Sequence, residues 1–177
     1  YFNAAGANPA WGVGEAHDPE EHLIPRVIAA VLDGRPLQVY GDDYPTPDGT
    51  CVRDYIHVTD LARAHVAVIE EDDLDSGMSF NVGTGSGHSV LQVIDAVGRR
   101  LQREPIVEVG PRRPGDPATL VADPGSLRSH LGWRAQHSSL GEIVDSGVCW
   151  ELARRGELAD ILHDPLESPT FLRLSGA

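Results

Sequence analysis

Lysine is absent from this sequence, because all 14 residues counted as Lys or Arg are Arg. Every mechanism that needs an amine side chain is thereby excluded from these residues, including Schiff-base catalysis, a P-loop lysine and a Tyr-x-x-x-Lys pair. Cysteine is scarce: Cys51 and Cys149 stand alone, with no C-x-x-C pair. A disulfide scaffold and a cysteine zinc site therefore have no support, and a reducing cytoplasm fits. No apolar run approaches membrane-spanning length, and the opening Tyr1 to Gly6 has no basic region that would target export. Positive charge is also in short supply, with a net charge of −13 and a pI near 4.8. A field of that sign argues against nucleic acid or an anionic membrane as partner. A phosphorylated small ligand would have to be met by a few placed guanidinium groups. The opening on Tyr1-Phe2 without Met predicts that another segment precedes it.

What is present is an ordinary α/β pattern. The chain is 41% hydrophobic, and 13 Pro with 19 Gly give no disordered or collagen-like bias. Short β-like runs alternate with helical stretches, without internal repeats. Helices are predicted from about His22 to Asp33, from Thr59 or Asp60 to about Glu70, and from Ser89 to Leu101. Two more are predicted: a short one capped by Asp123 with Pro124 at its first position, and a last one from Ser139 to about Arg155. Strands are predicted at Tyr1 to Asn3, Leu37 to Tyr40, Met78 to Val82 and Ile106 to Val109. Residues 1–156 read as one ligand-binding region and 157–177 as a loosely attached tail.

Three motifs invite a chemical reading. Gly83-Thr84-Gly85-Ser86-Gly87 sits between a strand and a helix, where a phosphate-cradling turn would lie. It departs from G-x-G-x-x-G because His88 occupies the third glycine position, so it is read as a structural turn. Glu15, His17, Asp18, Glu20, Glu21 and His22 gather metal-binding side chains. The two His are five positions apart with Pro19 between them, not one helical turn apart, so no metal is expected. More specific are Arg53, ahead of a helix, and Arg112-Arg113-Pro114-Gly115-Asp116, a proline-stiffened loop. A pre-ordered guanidinium loses less entropy on gripping a diphosphate. The competing reading is surface ion pairing, Arg53 with Asp54 and Arg113 with Asp116.

In order, Tyr1-Phe2-Asn3, His22-Leu23-Ile24-Pro25, Leu37 to Gly41, Asp43-Tyr44-Pro45-Thr46, Asp48-Gly49-Thr50, Arg53 to Val58, Asn81-Val82-Gly83 and Arg112 to Asp116 resemble the second half of UDP-glucose 4-epimerases. These belong to the extended short-chain dehydrogenases/reductases. Coverage runs from Tyr1 to about Trp150. The resemblance implies a substrate-binding, C-terminal part of a Rossmann-type α/β enzyme that lacks its N-terminal dinucleotide-binding region.

It further implies roles for individual residues. Asn3 would bond the glycosyl-diphosphate region, with Phe2 near the nicotinamide of NAD. His22 and Leu23 would contact the nucleotide largely through backbone, and Gln38 to Tyr40 would line the uracil. Arg53 and Arg113 would grip the diphosphate, and Asp116 would accept ribose hydroxyls. Leu120 would limit the space beside the sugar, and its intermediate size predicts some turnover of UDP-N-acetylglucosamine. The family's catalytic Tyr-x-x-x-Lys, its Ser or Thr and its glycine-rich NAD loop are expected upstream, so no catalytic residue is assigned here.

The expected function is that of an inactive fragment of a cytoplasmic, NAD-dependent enzyme of galactose metabolism that interconverts UDP-glucose and UDP-galactose. The complete protein is expected to be a homodimer. The alternatives are a stand-alone or degenerate UDP-sugar-binding module, or another NAD-dependent nucleotide-sugar epimerase or dehydratase. Uncovered strand edges predict marginal stability for the isolated chain.

Overall fold

The structure, a computed structural model, describes residues 1–157. The predicted tail falls outside the described residues except for Glu157. The larger core lies where three helices, α1 (Leu23–Asp33), α3 (Val90–Leu101) and α5 (Leu140–Arg155), pack against one another beside a parallel strand pair. Helix α1 forms because Ile24, Val27, Ile28 and Val31 recur at helical spacing, and all four are buried. Each such side chain contributes roughly 1.5–3 kcal/mol on full burial. The helix stops at Gly34, whose φ of 62° lets its N–H return to the Ala30 and Val31 carbonyls. Helix α3 opens on a complete capping box between Ser89 and Gln92.

The parallel pair is β2 (Leu37–Tyr40) with β6 (Val107–Gly110), aligning Leu37 with Val107 and Tyr40 with Gly110. Alternation in β2 matters for the site: Leu37 and Val39 are buried in the core, while Gln38 and Tyr40 face the other way. A second parallel pair joins β1 (Asn3–Ala5) to β4 (Tyr55–His57). Helix α2 (Val58–Ile69) packs against it over a smaller core of Ile56, Ala64, Leu127 and Trp133. Three two-residue strands, β3 (Val52–Arg53), β5 (His88–Ser89) and β7 (Thr119–Leu120), form a third sheet in the order β5-β3-β7. A short helix, α4 (Gly125–Leu131), completes the elements.

The predicted helices stand within one or two residues of their observed bounds, and β2 matches its prediction residue for residue. The predicted strand at Met78 to Val82 does not form. One backbone bond, Phe2 N–H to Val82 O at 3.1 Å, links it to the chain start without a repeating ladder. The N-cap of α4 is Pro124, not Asp123, whose carboxylate instead accepts the Gly125 N–H at 2.9 Å. Strands β3 and β4 were not anticipated, because each is too short for a period-two pattern and Asp54 turns inward between them.

Two buried polar groups fasten the start of α2, one to α5 and one to the segment just before it. The His57 ring is inaccessible; its Nδ1 accepts the Thr59 N–H at 3.1 Å and its Nε2 lies 3.0 Å from Ser146 Oγ. Burial lowers its pKa from the ordinary 6.5, with the nearby His137 acting the same way and Asp60 and Glu142 opposing. Asp60 is also inaccessible. Burial raises its pKa, but the Gln136 and His137 N–H groups, the Ser138 hydroxyl and Arg63 together hold it below 3.8.

Both groups give the same sign of pH dependence. Below pH 6.5 the unfolded chain protonates at His57 while the fold resists, so stability falls on acidification. A second loss follows as the pH drops through 3.8 toward the lower folded value of Asp60. The exposed His17, raised by its bond to Glu15, acts oppositely near neutrality, so the clean measurement is in a His17→Ala background. There the urea midpoint is expected to fall between about pH 7.5 and 5. A midpoint that rises on acidification contradicts the assignment.

Candidate functional site

A cleft of about 470 Å³ opens between the outward side of β2, the first turn of α1 and the end of β3. Asn3, His22, Leu23, Gln38, Tyr40, Arg53, Arg113 and Asp116 all line it. Phe2 and Leu120, the remaining sequence-derived candidates, do not. Leu120 is aligned with Arg53 in the neighbouring strand and is 47% exposed.

The cationic side of the cleft is pre-ordered. Arg53 is largely buried and pairs with Asp116, and its other terminal nitrogen donates to Val52 O at 2.8 Å. Arg113 lies over the Tyr40 ring, 4.0 Å from its centroid, a cation–π contact on the lining of the cleft. Its neighbour Arg112 turns elsewhere. It bonds Asp43 Oδ1 at 2.6 Å and covers Tyr44 at 4.3 Å, clamping the 111–117 loop to the Asp43-Tyr44 turn. The ion pairs weighed on sequence grounds, Arg53 with Asp54 and Arg113 with Asp116, are thus replaced by Arg53 with Asp116 and Arg113 on Tyr40. Asn3 donates through Nδ2 to Asp54 O at 2.7 Å, which fixes the amide and leaves its oxygen available to a ligand donor.

Asp54 itself explains the glycine-rich turn. Its inaccessible carboxylate accepts the Thr84 N–H and hydroxyl, the Gly85 N–H at 2.9 Å and the Ala122 N–H at 3.2 Å. The turn is an anion cradle, and the anion is a side chain of this same protein. Gly83 is required for that approach, since a Cβ there would collide with the Ala122 methyl and meet an Asp54 oxygen at 2.8 Å. The Thr84 and Gly85 N–H groups are therefore not available to a dinucleotide pyrophosphate, and the described residues offer no other glycine-rich cradle of that kind.

Arg26 and Trp150 also line the cleft and escaped the sequence reading. Arg26 could have been found, because it lies one helical turn beyond His22. Trp150 could not, being brought in from the far end of the chain by α5. At the cleft mouth, Glu15, His17, Glu20 and His22 hold donor atoms within 4.8 Å of one another. The irregular turn through Pro19 gathers these donors without a helical spacing. No helix among the described residues is long and apolar enough to cross a membrane.

Residues 1–83 match the NAD dependent epimerase/dehydratase family. The chain is 48% identical over 154 residues to the UDP-glucose 4-epimerase of Halalkalibacterium halodurans, covering 85% of this chain and 46% of that protein. The Streptomyces lividans UDP-glucose 4-epimerase is 49% identical over 154 residues, with coverage of 85% and 44%. Among solved structures, the Bifidobacterium longum UDP-glucose 4-epimerase in complex with NAD+ and UDP superposes with a TM-score of 0.81 at 40% identity, covering 89% of this chain and 47% of that one. The chain therefore spans about half the length of the curated relatives it matches.

Proposed function

The chain belongs to the NAD-dependent epimerase/dehydratase family, and from that premise we propose that it is the UDP-sugar-binding, C-terminal part of a cytoplasmic UDP-glucose 4-epimerase of galactose metabolism. The observation that carries this reading is the gathering of Arg53, Arg113, Asp116, Tyr40, Gln38 and Asn3 on one cleft. Arg53 and Arg113 hold the diphosphate, exchanging part of the Arg53–Asp116 pairing for phosphate oxygens. Asp116 then accepts ribose hydroxyls, Tyr40 presents its ring to the uracil, and Asn3 reaches the glycosyl end. Residues 1–156 form this binding region.

Proton and hydride transfer at C4 of the sugar are proposed to lie with residues outside this chain. It has no lysine to complete a Tyr-x-x-x-Lys pair, and its one glycine-rich turn is filled by Asp54. NAD, which supplies hydride acceptance and return in such enzymes, fits none of the described residues as a pyrophosphate cradle, so Phe2 is its single proposed contact here. A homodimer is proposed for the complete enzyme only.

Calorimetric titration of the folded chain with UDP tests the reading. Saturable binding is expected, with UDP bound at least about tenfold tighter than uridine, since one lost charge-assisted contact costs about that much. A folded chain that binds neither compound would remove the proposal. Adding UDP-galactose to the chain alone is expected to give no UDP-glucose.

A further inference from the structure

We propose that Glu15, His17, Glu20 and His22 form a binding site for a single transition-metal dication of the Zn2+ class at the mouth of the cleft. The four donor atoms lie within 4.8 Å of one another. His22 Nδ1 is 2.9 Å from Glu20 Oε1 and 3.7 Å from Glu15 Oε2, and His17 Nδ1 is bonded to Glu15 Oε1. A tetrahedral Zn2+ with ligands at about 2.0–2.2 Å needs donors roughly 3.3 Å apart, a spacing these side chains reach by small rotations. Two imidazoles with two carboxylates suit Zn2+, Co2+ or Ni2+, whereas Mg2+ and Ca2+ favour all-oxygen sets.

Two further features point the same way. The first is charge. Asp33, Asp43, Asp60 and Asp145 each meet an arginine, whereas Glu142, like the two glutamates here, pairs with a histidine. Among the described residues, Glu15 and Glu20 have ion pairs only with the two histidines, which are cations only when protonated. A dication would supply the missing positive charge. The second is a backbone that is already fixed. Glu15 O accepts the Trp150 indole N–H at 2.6 Å, and Gly14 lies so close to the Trp150 ring that a Cβ there would collide with it. At the other end His22 is the N-cap of α1. A metal would therefore join a loop seated on α5 to the start of α1, beside the His22-Leu23 backbone that lines the cleft. The His22 ring is the metal donor, while its backbone N–H donates to Glu20 Oε1 at 2.8 Å and holds that carboxylate beside it.

The test uses the 177-residue chain, stripped of metal with a chelator and titrated with Co2+ while visible d–d absorption is followed. A single saturable site is expected, displaced by Zn2+, together with a rise in thermal midpoint on Zn2+ addition. His17→Ala and Glu20→Gln are each expected to weaken binding by about tenfold or more, the lower bound for losing even an outer partner of a metal ligand. His65→Ala, on an exposed stretch of α2, should bind as the unsubstituted chain does. His17 is 64% exposed in its side chain, so its truncation leaves the core intact, and circular dichroism checks this. Absence of saturable absorption in the unsubstituted chain overturns the proposal, and so does a His17→Ala titration matching it. The titration contains no UDP and stands or falls separately from the reading of the cleft.

Discussion

Arg113→Ala and Arg53→Ala are each expected to weaken UDP binding by about ten- to a hundredfold, with uridine binding changed far less. The magnitude follows from charge-assisted hydrogen bonds of about 1.5–3 kcal/mol each, where about 1.4 kcal/mol is a factor of ten. The two substitutions differ in what they leave behind. At Arg113 the loss also uncovers the Tyr40 ring, so Arg113→Lys, which keeps charge but not the planar fork, should recover only part of the affinity. At Arg53 the loss leaves the half-buried Asp116 without its cation, adding repulsion between that carboxylate and the diphosphate. The double variant is therefore not expected to be the simple sum. Calorimetry with UDP and uridine on the unsubstituted chain and the four variants checks the pattern. Equal losses for the two ligands would mean that neither guanidinium grips phosphate.

Asp54→Ala is expected to cost about 3–5 kcal/mol of stability, because several buried donors lose their acceptor at about 1–3 kcal/mol each. Native domains hold only about 5–15 kcal/mol, so this loss removes a large part of the stability and should lower the urea midpoint steeply. The substitution strips the Thr84, Gly85 and Ala122 donors of their acceptor inside a space too tight to admit much else. Because the Asp54 carbonyl also positions Asn3, the damage reaches the cleft. Asp54→Asn keeps the shape and one acceptor oxygen and should fall between the two. Urea unfolding measures all three, and an Asp54→Ala midpoint equal to that of the unsubstituted chain would show that the carboxylate is not the anion that organises the turn.

Much of the fold is legible in the order of residues alone. Helix α1 follows from apolar spacing and its Gly34 stop, and α3 and α5 from Ser89 and Ser139 as opening residues, all features within one or two turns of chain. Strand β2 follows from its alternation, and with it the outward direction of Gln38 and Tyr40. The need for placed guanidinium groups follows from acidity and the lack of lysine. Strands of two or three residues carry no such period, which is why β3, β4 and β7 were silent and why Met78 to Val82 misled.

The sequence by itself determined the class of fold, the residues able to meet a phosphorylated ligand and the exclusion of lysine chemistry, because propensity, capping and composition are local or summed properties. Only the tertiary structure decided that Arg113 turns to the cleft while Arg112 clamps Asp43, that Arg53 joins Asp116 across 63 positions, and that Asp54 fills the glycine turn 30 positions away. It also brought Glu15 and Glu20 onto two histidines despite an unpromising spacing. Which partner a charged side chain takes depends on the three-dimensional distance between segments, and that distance is fixed by the packing of the whole core.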